Sequence, residues 1–176
     1  MLDREYREII TKAVCGKGKK FSETSHMVSP NHRPTSILGC WIINHQYEAK
    51  KRGKYVEVSG AYDINVWYSY SDNTKTEVVT ERKQYVDKIP LAMRDEKCIS
   101  SNFDVVARAT QQPNTLECQI VDQGAKVKVE LEREFVVDLI GETKVWAKVE
   151  PNGFDEDDVD LDGLESELAD IEVDRD

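Results

Sequence analysis

The 176-residue chain lacks the segments that mark membrane and secreted proteins. No apolar run approaches the roughly 18 residues that a membrane-spanning helix requires. The first residues are polar, and no apolar segment follows them as it would in a secretory signal. We therefore expect synthesis and residence in a cytoplasm, without membrane insertion.

The chain also lacks the common catalytic and cofactor motifs. It contains no Walker A loop, no G-x-G-x-x-G, no G-x-S-x-G and no H-E-x-x-H. Its three histidines (His26, His32 and His45) and Cys40 match no compact zinc-ligand spacing. Cys98 follows two acidic residues, whose charge disfavours a reactive thiolate. We predict no catalytic residues, no metal site and no cofactor, and hence a protein that is not an enzyme.

Cysteine is sparse, and no C-x-x-C pair is present. The four cysteines are Cys15, Cys40, Cys98 and Cys118. In a cytoplasmic chain of this length we expect reduced thiols. Cys40 and Cys118 fall in apolar, strand-like runs, where cysteine behaves as a small hydrophobic residue. Later cross-linking of exposed thiols is the alternative.

Charge is distributed very unevenly along the chain. Residues 154–176 hold 12 of the 34 acidic residues but only one of the 24 basic residues, a local net charge of −11. The remaining 22 acidic and 23 basic residues leave 1–153 with a net charge of +1. Nucleic-acid binding usually needs clustered Lys and Arg, so we expect no nucleic-acid partner.

Two long segments alternate between apolar and polar residues, the pattern of half-buried strands. The apolar face of 54–70 carries Val56, Val58, Tyr62, Ile64, Val66 and Tyr68. That of the second segment carries Val127, Val129, Leu131, Phe135, Val137 and Leu139. Gly60 interrupts the first face and predicts a bulge or bend. Arg133 interrupts the second.

Turn residues divide the chain into two similar halves, 21–95 and 96–153. Turns are predicted at 51–53, 71–74, 111–114, 122–124 and 140–143. Each half then contains a strand, a glycine turn, a long bent strand, a hairpin and a return strand. The pattern indicates either a weak two-fold repeat or two unrelated meanders. We predict an antiparallel β-sandwich or barrel-like domain over 21–153.

The first 20 residues are predicted to form an N-terminal α-helix and its connector. Tyr6, Ile9 and Ile10 share one face at helical spacing, and the glycines of GKGKK favour a helix end. This helix either docks on the domain or binds a partner. Trp67 lies on the polar face of its strand, so it is either covered by the helix or exposed as an anchor for another protein.

Residues 154–176 are predicted to form an acidic tail that is disordered when unbound. Leu161, Leu164, Leu168 and Ile171 recur at spacings of three, four and three. On a helix these four residues would form one apolar stripe between carboxylates. The tail either acts as a solubilising segment or folds on a basic partner that has an apolar groove.

Several segments resemble the CotE family of outer spore coat morphogenetic proteins of endospore-forming bacteria. The resemblance covers residues 5–150 through EYREIITKAV, KGKKF, QQPN, EREF, GETKVW and one long block. That block is PTSILGCWIINHQYEAKKRGKYVEVSGAYDINVWYSYSDNTKTEVVTER. The acidic ending is also similar.

The resemblance implies a structural protein without catalytic residues. Family members are made in the mother cell, where they surround the forespore over the basement coat layer. They self-associate and recruit outer coat proteins. The implied partners are further copies of the chain, a basement-layer protein and outer coat proteins. The implied location is the mother-cell cytoplasm and later the interface of inner and outer coat.

Two other functions fit parts of the sequence. Bent strands with Trp41, Tyr62 and Trp67 are compatible with a small-ligand-binding β-barrel, which would contain a sizeable apolar cavity. An acidic tail is compatible with a chaperone for basic clients, which would form no large assemblies.

Overall fold

The computed structural model describes residues 6–93 and 97–149, and these form seven β-strands. They are β1 (Tyr6–Val28), β2 (Pro34–Arg52), β3 (Tyr55–Tyr70), β4 (Lys75–Pro90), β5 (Ala92–Met93), β6 (Asp104–Val121) and β7 (Lys126–Lys148). A 3-10 turn over Asp122–Gly124 joins β6 to β7. Within these two ranges no α-helix is present. Consequently none of the described residues forms a helix of the length and hydrophobicity needed to cross a membrane.

The strands form a four-stranded and a three-stranded sheet. The first has the order β5-β1-β7-β6, and the second is the meander β2-β3-β4. The pairs β2–β3, β3–β4 and β6–β7 are antiparallel. The apolar faces of both sheets supply one buried cluster, which is the arrangement of a β-sandwich. The sandwich part of the predicted fold is therefore confirmed.

The predicted apolar faces of β3 and β7 form most of this core. All twelve residues of the two faces are fully buried. Eleven of the twelve, all but Leu139, belong to the buried cluster, which Val28, Val79, Tyr85 and Ile89 complete. Alternation identified these faces because successive side chains of a strand point to opposite sides of the sheet.

The predicted turns at 51–53, 71–74 and 122–124 are confirmed. Gly53 has φ +61°, and Arg52 pairs with Tyr55 across its turn. Ser71, Asp72 and Asn73 all adopt positive φ. Asp and Asn tolerate this conformation better than most residues because their short side chains hydrogen-bond locally.

The predicted N-terminal helix is wrong, because residues 6–20 of that segment belong to β1. The pattern of GKGKK favoured a helix end, but Gly18 has another role. A Cβ on Gly18 would lie 2.5 Å from the Pro90 carbonyl oxygen and 2.9 Å from Ile89 Cγ2. The glycine thus permits close approach of the end of β4 to β1. This packing could not be read from local periodicity.

Two further predicted turns are wrong. Strand β7 runs without interruption through 140–143, and β6 runs through 111–114. In β6 the pairing with β7 shifts register between Ala109 and Asn114, so the QQPN segment bulges within a strand instead of reversing the chain. Residues 104–148 therefore contain two long strands, where a repeat of β2–β4 would need three.

The expectation of four reduced thiols is wrong for one pair. Cys15 on β1 forms a disulfide with Cys98, 83 residues away, and the two Cα atoms are 6.1 Å apart. Cys40 and Cys118 are free thiols. Tertiary structure brings the loop that carries Cys98 next to β1. Because 83 residues separate the two cysteines, local sequence patterns could not predict their pairing.

The chain divides into two compact units. One comprises residues 11–143, which include both sheets' buried cores. The other comprises residues 1–10 with 144–176, of which 6–10 and 144–149 are described. The predicted boundary after Gly153 and the acidic tail lie outside the described residues.

Candidate functional site

An apolar surface on the outer face of the three-stranded sheet contains the predicted anchor Trp67. Val66 and Tyr68 on either side of Trp67 are fully buried, and the Trp67 side chain therefore points away from the core with 42% of its surface exposed. Trp67 pairs with Gly39 on β2 and with Val78 on β4. It is an exposed residue at the centre of a sheet, because β3 is the middle strand.

Trp41 on β2 extends this surface, although its apolar neighbours in the sequence made it indistinguishable from a core residue. A Cβ built on Gly39 would lie 3.6 Å from Trp41 Cζ3 and 3.7 Å from Trp67 Cε3. Both indoles therefore border the space over this glycine, and Trp41 is also 42% exposed. We call the exposed residues Leu38, Trp41, Ile43, Trp67 and Val78 the aromatic surface.

The charged residues beside the aromatic surface neutralise each other. Arg82 Nη1 lies 3.0 Å from Asp63 Oδ1, and Asn44 Nδ2 donates to Asp63 Oδ2 at 2.8 Å. The hydrogen bond from Asn44 is the main cause that holds the pKa of Asp63 below its ordinary value, and the hydrogen bond from Arg82 is the next. Asp63 pairs with Ile43 and Arg82 across the sheet, so this ion pair borders the aromatic surface without giving it a net charge.

Tyr6, Ile9 and Ile10 lie on the first part of β1 rather than on a helix. All three are exposed, as are Val145 and Trp146 in the same unit. Glu8 and Lys144 form an ion pair of 2.9 Å there. The three residues therefore stay accessible, but helical spacing no longer explains why they would act together. The other predicted partner-binding residues, Leu161, Leu164, Leu168 and Ile171, lie outside the described residues.

A buried ion pair connects the two sheets inside the core. Arg133 of β7 donates to Asp87 of β4 through Nε and Nη2, both at 2.7 Å, and the two residues are 3% and 4% exposed. Nη1 of Arg133 donates to Thr24 Oγ1 at 2.9 Å, and Ser22 Oγ donates to Asp87 Oδ1 at 3.3 Å. Such a two-bond pairing matches guanidinium and carboxylate geometry.

Two histidine–tyrosine pairs surround this ion pair. His26 Nε2 and the Tyr62 hydroxyl are 2.6 Å apart, and His45 Nε2 and the Tyr85 hydroxyl are also 2.6 Å apart. The Arg133 guanidinium lies 4.0 Å from the centre of the Tyr85 ring, a cation–π distance. Burial raises the pKa of Tyr62 to about 12 and raises the pKa of Tyr85 as well. Both hydroxyls therefore remain protonated hydrogen-bonding groups at neutral pH.

Gly60 makes room for this cluster instead of forming the predicted bulge. The register of β3 with β4 is continuous through Gly60, which lies directly between Tyr47 and Tyr85. A Cβ at this position would lie 2.4 Å from Tyr85 Cζ. The register shift near here is in β2, between Ile43 and Gln46. The glycine is therefore explained by the volume of a tyrosine ring and not by a bulge between β3 and β4.

The sequence indicated the positions of Gly60 and Arg133 but not their purpose. Each interrupts an otherwise apolar face, and this interruption is the signal that marks the buried cluster. The sequence signal for Ser22, Thr24 and His26 is weaker. They alternate along β1 as residues of one strand face do, but they are polar and so do not identify that face as the buried one. Their inward orientation becomes clear only when the ion pair is placed between the sheets.

Acidification is expected to destabilise the protein through His26 and His45. Burial is the main cause that lowers both histidine pKa values, and the positive charge of Arg133 adds to it. Lys83 contributes at His26, whereas a hydrogen bond with Gln112 opposes the shift at His45. The unfolded chain therefore binds more protons just below pH 6.5. The stability that these neutral histidines contribute is present above pH 6.5 and is lost as the pH falls through their lower folded values.

Urea unfolding at pH 7.5, 6.5 and 5.5 measures this effect. We expect the free energy of unfolding to fall across the series, and a His26→Gln/His45→Gln variant to show a flatter dependence. Measurements stay above pH 5 because the pKa of Glu77 is lowered to about 2, first by a hydrogen bond from Tyr68. Loss of that contribution begins near pH 4.5. Equal pH dependence in the variant and the parent would contradict the assignment.

A surface depression of about 490 Å³ differs from the cavity that a small-ligand barrel would contain. It is open and includes outward-facing Gln46, Ala61 and Gln84 in its lining. An enclosed apolar cavity is the usual site for a small ligand. Among the described residues, no group of three or more His, Cys, Asp or Glu side chains is placed to hold a metal ion.

The chain matches a known protein family over nearly its whole length. The family model of CotE, outer spore coat protein E, matches residues 5–175. Comparisons with curated proteins and with solved structures found no match. The family match extends from the start of β1 through the acidic C-terminal region, so it is not confined to one motif. The chain therefore belongs to the CotE family of outer spore coat proteins.

Proposed function

We propose that this outer spore coat protein is a morphogenetic scaffold that binds its own copies and recruits other coat proteins. Self-association belongs to the β-structure, and recruitment belongs to residues 154–176. The observation that carries the first part is the exposure of Trp41 and Trp67 on either side of Gly39 on the outer sheet face. Large aromatic side chains of this kind are enriched at the centres of protein interfaces.

A second copy of the chain is the occupant that fits the aromatic surface best. Residues 1–153 have a net charge of only +1, so two copies of this part do not repel each other strongly. At the border of the surface, Asp63 and Arg82 are already paired. Two sheet faces can also pack directly on each other at about 10 Å. Contact through the same surface of both copies would form a two-fold symmetric interface.

Growth beyond a dimer needs a second contact, for which we propose Tyr6, Ile9 and Ile10. These residues are exposed and apolar, and they belong to the other compact unit. Two different contacts per copy allow an assembly to extend, whereas one two-fold contact closes as a dimer. An extended layer is what a protein that surrounds a forespore must form.

The acidic segment is proposed to bind outer coat proteins. Its net charge of −11 makes self-contact unfavourable, while the stripe of Leu161, Leu164, Leu168 and Ile171 would supply apolar contacts on a basic partner. Each fully buried side chain of this type contributes about 1.5–3 kcal/mol. Ordering the backbone costs about 1–2 kcal/mol per residue, so many tails on one scaffold must act together.

The proposed site of action is the mother-cell cytoplasm and then the interface of inner and outer coat. There one side of the assembly contacts a basement-layer protein and the other contacts outer coat proteins. This arrangement is supported by membership of the outer spore coat family.

Light scattering of purified variants tests the division between self-association and recruitment. Trp41→Ser/Trp67→Ser is expected to reduce particle mass at least tenfold at micromolar concentration, with an unchanged circular dichroism spectrum. Trp146→Ser is the matched control, because it removes an exposed tryptophan outside the aromatic surface.

Leu164→Ser/Leu168→Ser should keep the particle mass and reduce the capture of outer coat proteins more than added salt does.

Three outcomes would contradict parts of this proposal. An unchanged particle mass in Trp41→Ser/Trp67→Ser would exclude the aromatic surface as the self-association site. Monomers in the leucine variant would assign self-association to the acidic segment. Normal recruitment by the leucine variant, together with loss of recruitment in salt, would leave only the charge of the segment as its binding feature.

A further inference from the structure

The two free cysteines lie on facing edges of the sandwich. Strand β2 is the edge of the three-stranded sheet, and β6 is the edge of the four-stranded sheet. Cys40 of β2 pairs with Val66, and Cys118 of β6 pairs with Val129. Both valines are fully buried. Since paired residues share a face, both cysteine side chains point towards the interior, where they pack against the core cluster.

Cys40 contacts strand β6 across this gap. Thr115 Oγ1 donates a hydrogen bond to Cys40 Sγ at 3.9 Å, and Cys118 follows Thr115 by three residues on the same strand. The neighbouring Cys118 thiol, assisted by Thr115, lowers the pKa of Cys40. The Cys40 thiol, together with burial, raises the pKa of Cys118. Both residues are only half-buried, so a small molecule can reach them.

Neighbouring contacts hold the two edges in place. The Tyr47 hydroxyl of β2 accepts a hydrogen bond from Ala109 N of β6 at 3.3 Å. His45 Nδ1 and Gln112 Oε1 are 2.7 Å apart on the same two strands. These bonds hold the two cysteine-bearing strands beside each other. A preorganised pair of this kind forms a disulfide more readily than two cysteines on mobile segments.

We propose that Cys40 and Cys118 are a covalent modification site, at which a low-molecular-weight organic disulfide converts the thiol pair into a disulfide between the sheet edges. The Cys40 thiolate attacks one sulfur of the small disulfide, forms a mixed disulfide and releases one small thiolate. The Cys118 sulfur then attacks the Cys40 sulfur, and the second small thiolate leaves. The two protons of the protein thiols end on the two small thiols. The protein is oxidised by two electrons, and the small disulfide is reduced by two.

The new disulfide would cross-link a different pair of elements from the existing disulfide. The Cys15–Cys98 bond joins β1 to the loop before β6, whereas Cys40–Cys118 would join β2 to β6. The new bond encloses a long segment of chain, which restricts the unfolded ensemble strongly. From the chain-entropy relation, we expect the melting temperature to rise on the order of 10 °C. This inference does not depend on the aromatic surface or on self-association.

The test exposes the purified full-length protein to oxidised glutathione at neutral pH and then blocks the remaining thiols with N-ethylmaleimide. Peptide mapping without reduction is expected to find Cys40 linked to Cys118 in the monomer band, with Cys15 still linked to Cys98. The treated protein should melt about 10 °C higher than the untreated protein. Cys40→Ser/Cys118→Ser is the control and should show no increase. Cys118→Ser should instead retain one glutathionyl group on Cys40.

Two results would overturn the proposal. In the first, Cys40 and Cys118 of the treated parent are both recovered as maleimide adducts. In the second, the linked peptide is found only in dimers, which would make the pair a cross-link between copies.

Discussion

Replacing Arg133 by alanine is expected to destabilise the protein by about 3–5 kcal/mol, because it leaves the Asp87 carboxylate buried without its cation. Asp87 is 4% exposed and receives two of its hydrogen bonds from Arg133. Ser22 Oγ, at 3.3 Å, would be its remaining partner. Arg133→Ala also removes the guanidinium that lies over the Tyr85 ring. One substitution therefore affects both sheets.

Urea unfolding of three variants measures the role of this buried pair. Arg82→Ala is the matched control, since Arg82 is exposed and its ion pair with Asp63 is screened by solvent, so its loss should change stability little. Arg133→Met/Asp87→Leu removes both charges and is expected to recover most of the lost stability. A cost for Arg133→Ala as small as that for Arg82→Ala would show that Asp87 is hydrated.

Replacing Gly60 by alanine is expected to cost about 3 kcal/mol, the upper part of the usual range for overpacking a core. The added methyl group would lie 2.4 Å from Tyr85 Cζ. The Tyr85 ring cannot move away easily, because its hydroxyl is bonded to His45 at 2.6 Å and Arg133 lies over its face. The strand must therefore shift, or the hydrogen bond must break.

Gly39→Ala is the control for this substitution. Gly39 is also a strand glycine, but the atom that an added Cβ would approach most closely there, Trp41 Cζ3, is at 3.6 Å, an ordinary contact. Alanine in a strand is otherwise favoured over glycine by about 0.5–1 kcal/mol, so this variant should be neutral or slightly more stable. If both alanine variants unfolded at the same urea concentration, the close approach of Gly60 and Tyr85 would be refuted.

The buried cluster shows why a polar network is useful in this core. The two bonds between Arg133 and Asp87 join one position of β7 to one position of β4. Our hypothesis is that this pair specifies how the two sheets pack more than it adds stability, which Arg133→Met/Asp87→Leu tests. For a protein proposed to assemble in many copies, a single sheet geometry keeps the Trp41–Trp67 surface identical in every copy.

Features that depend on local order could be predicted from the amino-acid sequence. Alternation identified the buried faces of β3 and β7, since side-chain direction in a strand follows residue parity. Asp72, Asn73 and Gly53 identified turns through their tolerance of positive φ. The family resemblance was also a property of the sequence, and the match over 5–175 confirmed it.

Features that depend on distant partners emerged only from the folded chain. Residues 6–15 had a helical pattern, but pairing within the four-stranded sheet made them part of β1. The partner of Arg133 lies 46 residues away, and the Cys15–Cys98 disulfide spans 83 residues. Gly60 suggested a bulge until Tyr85 was placed beside it. Periodicity specifies which face of a segment is apolar, whereas the side chain that meets that face is determined by sheet pairing across the whole chain.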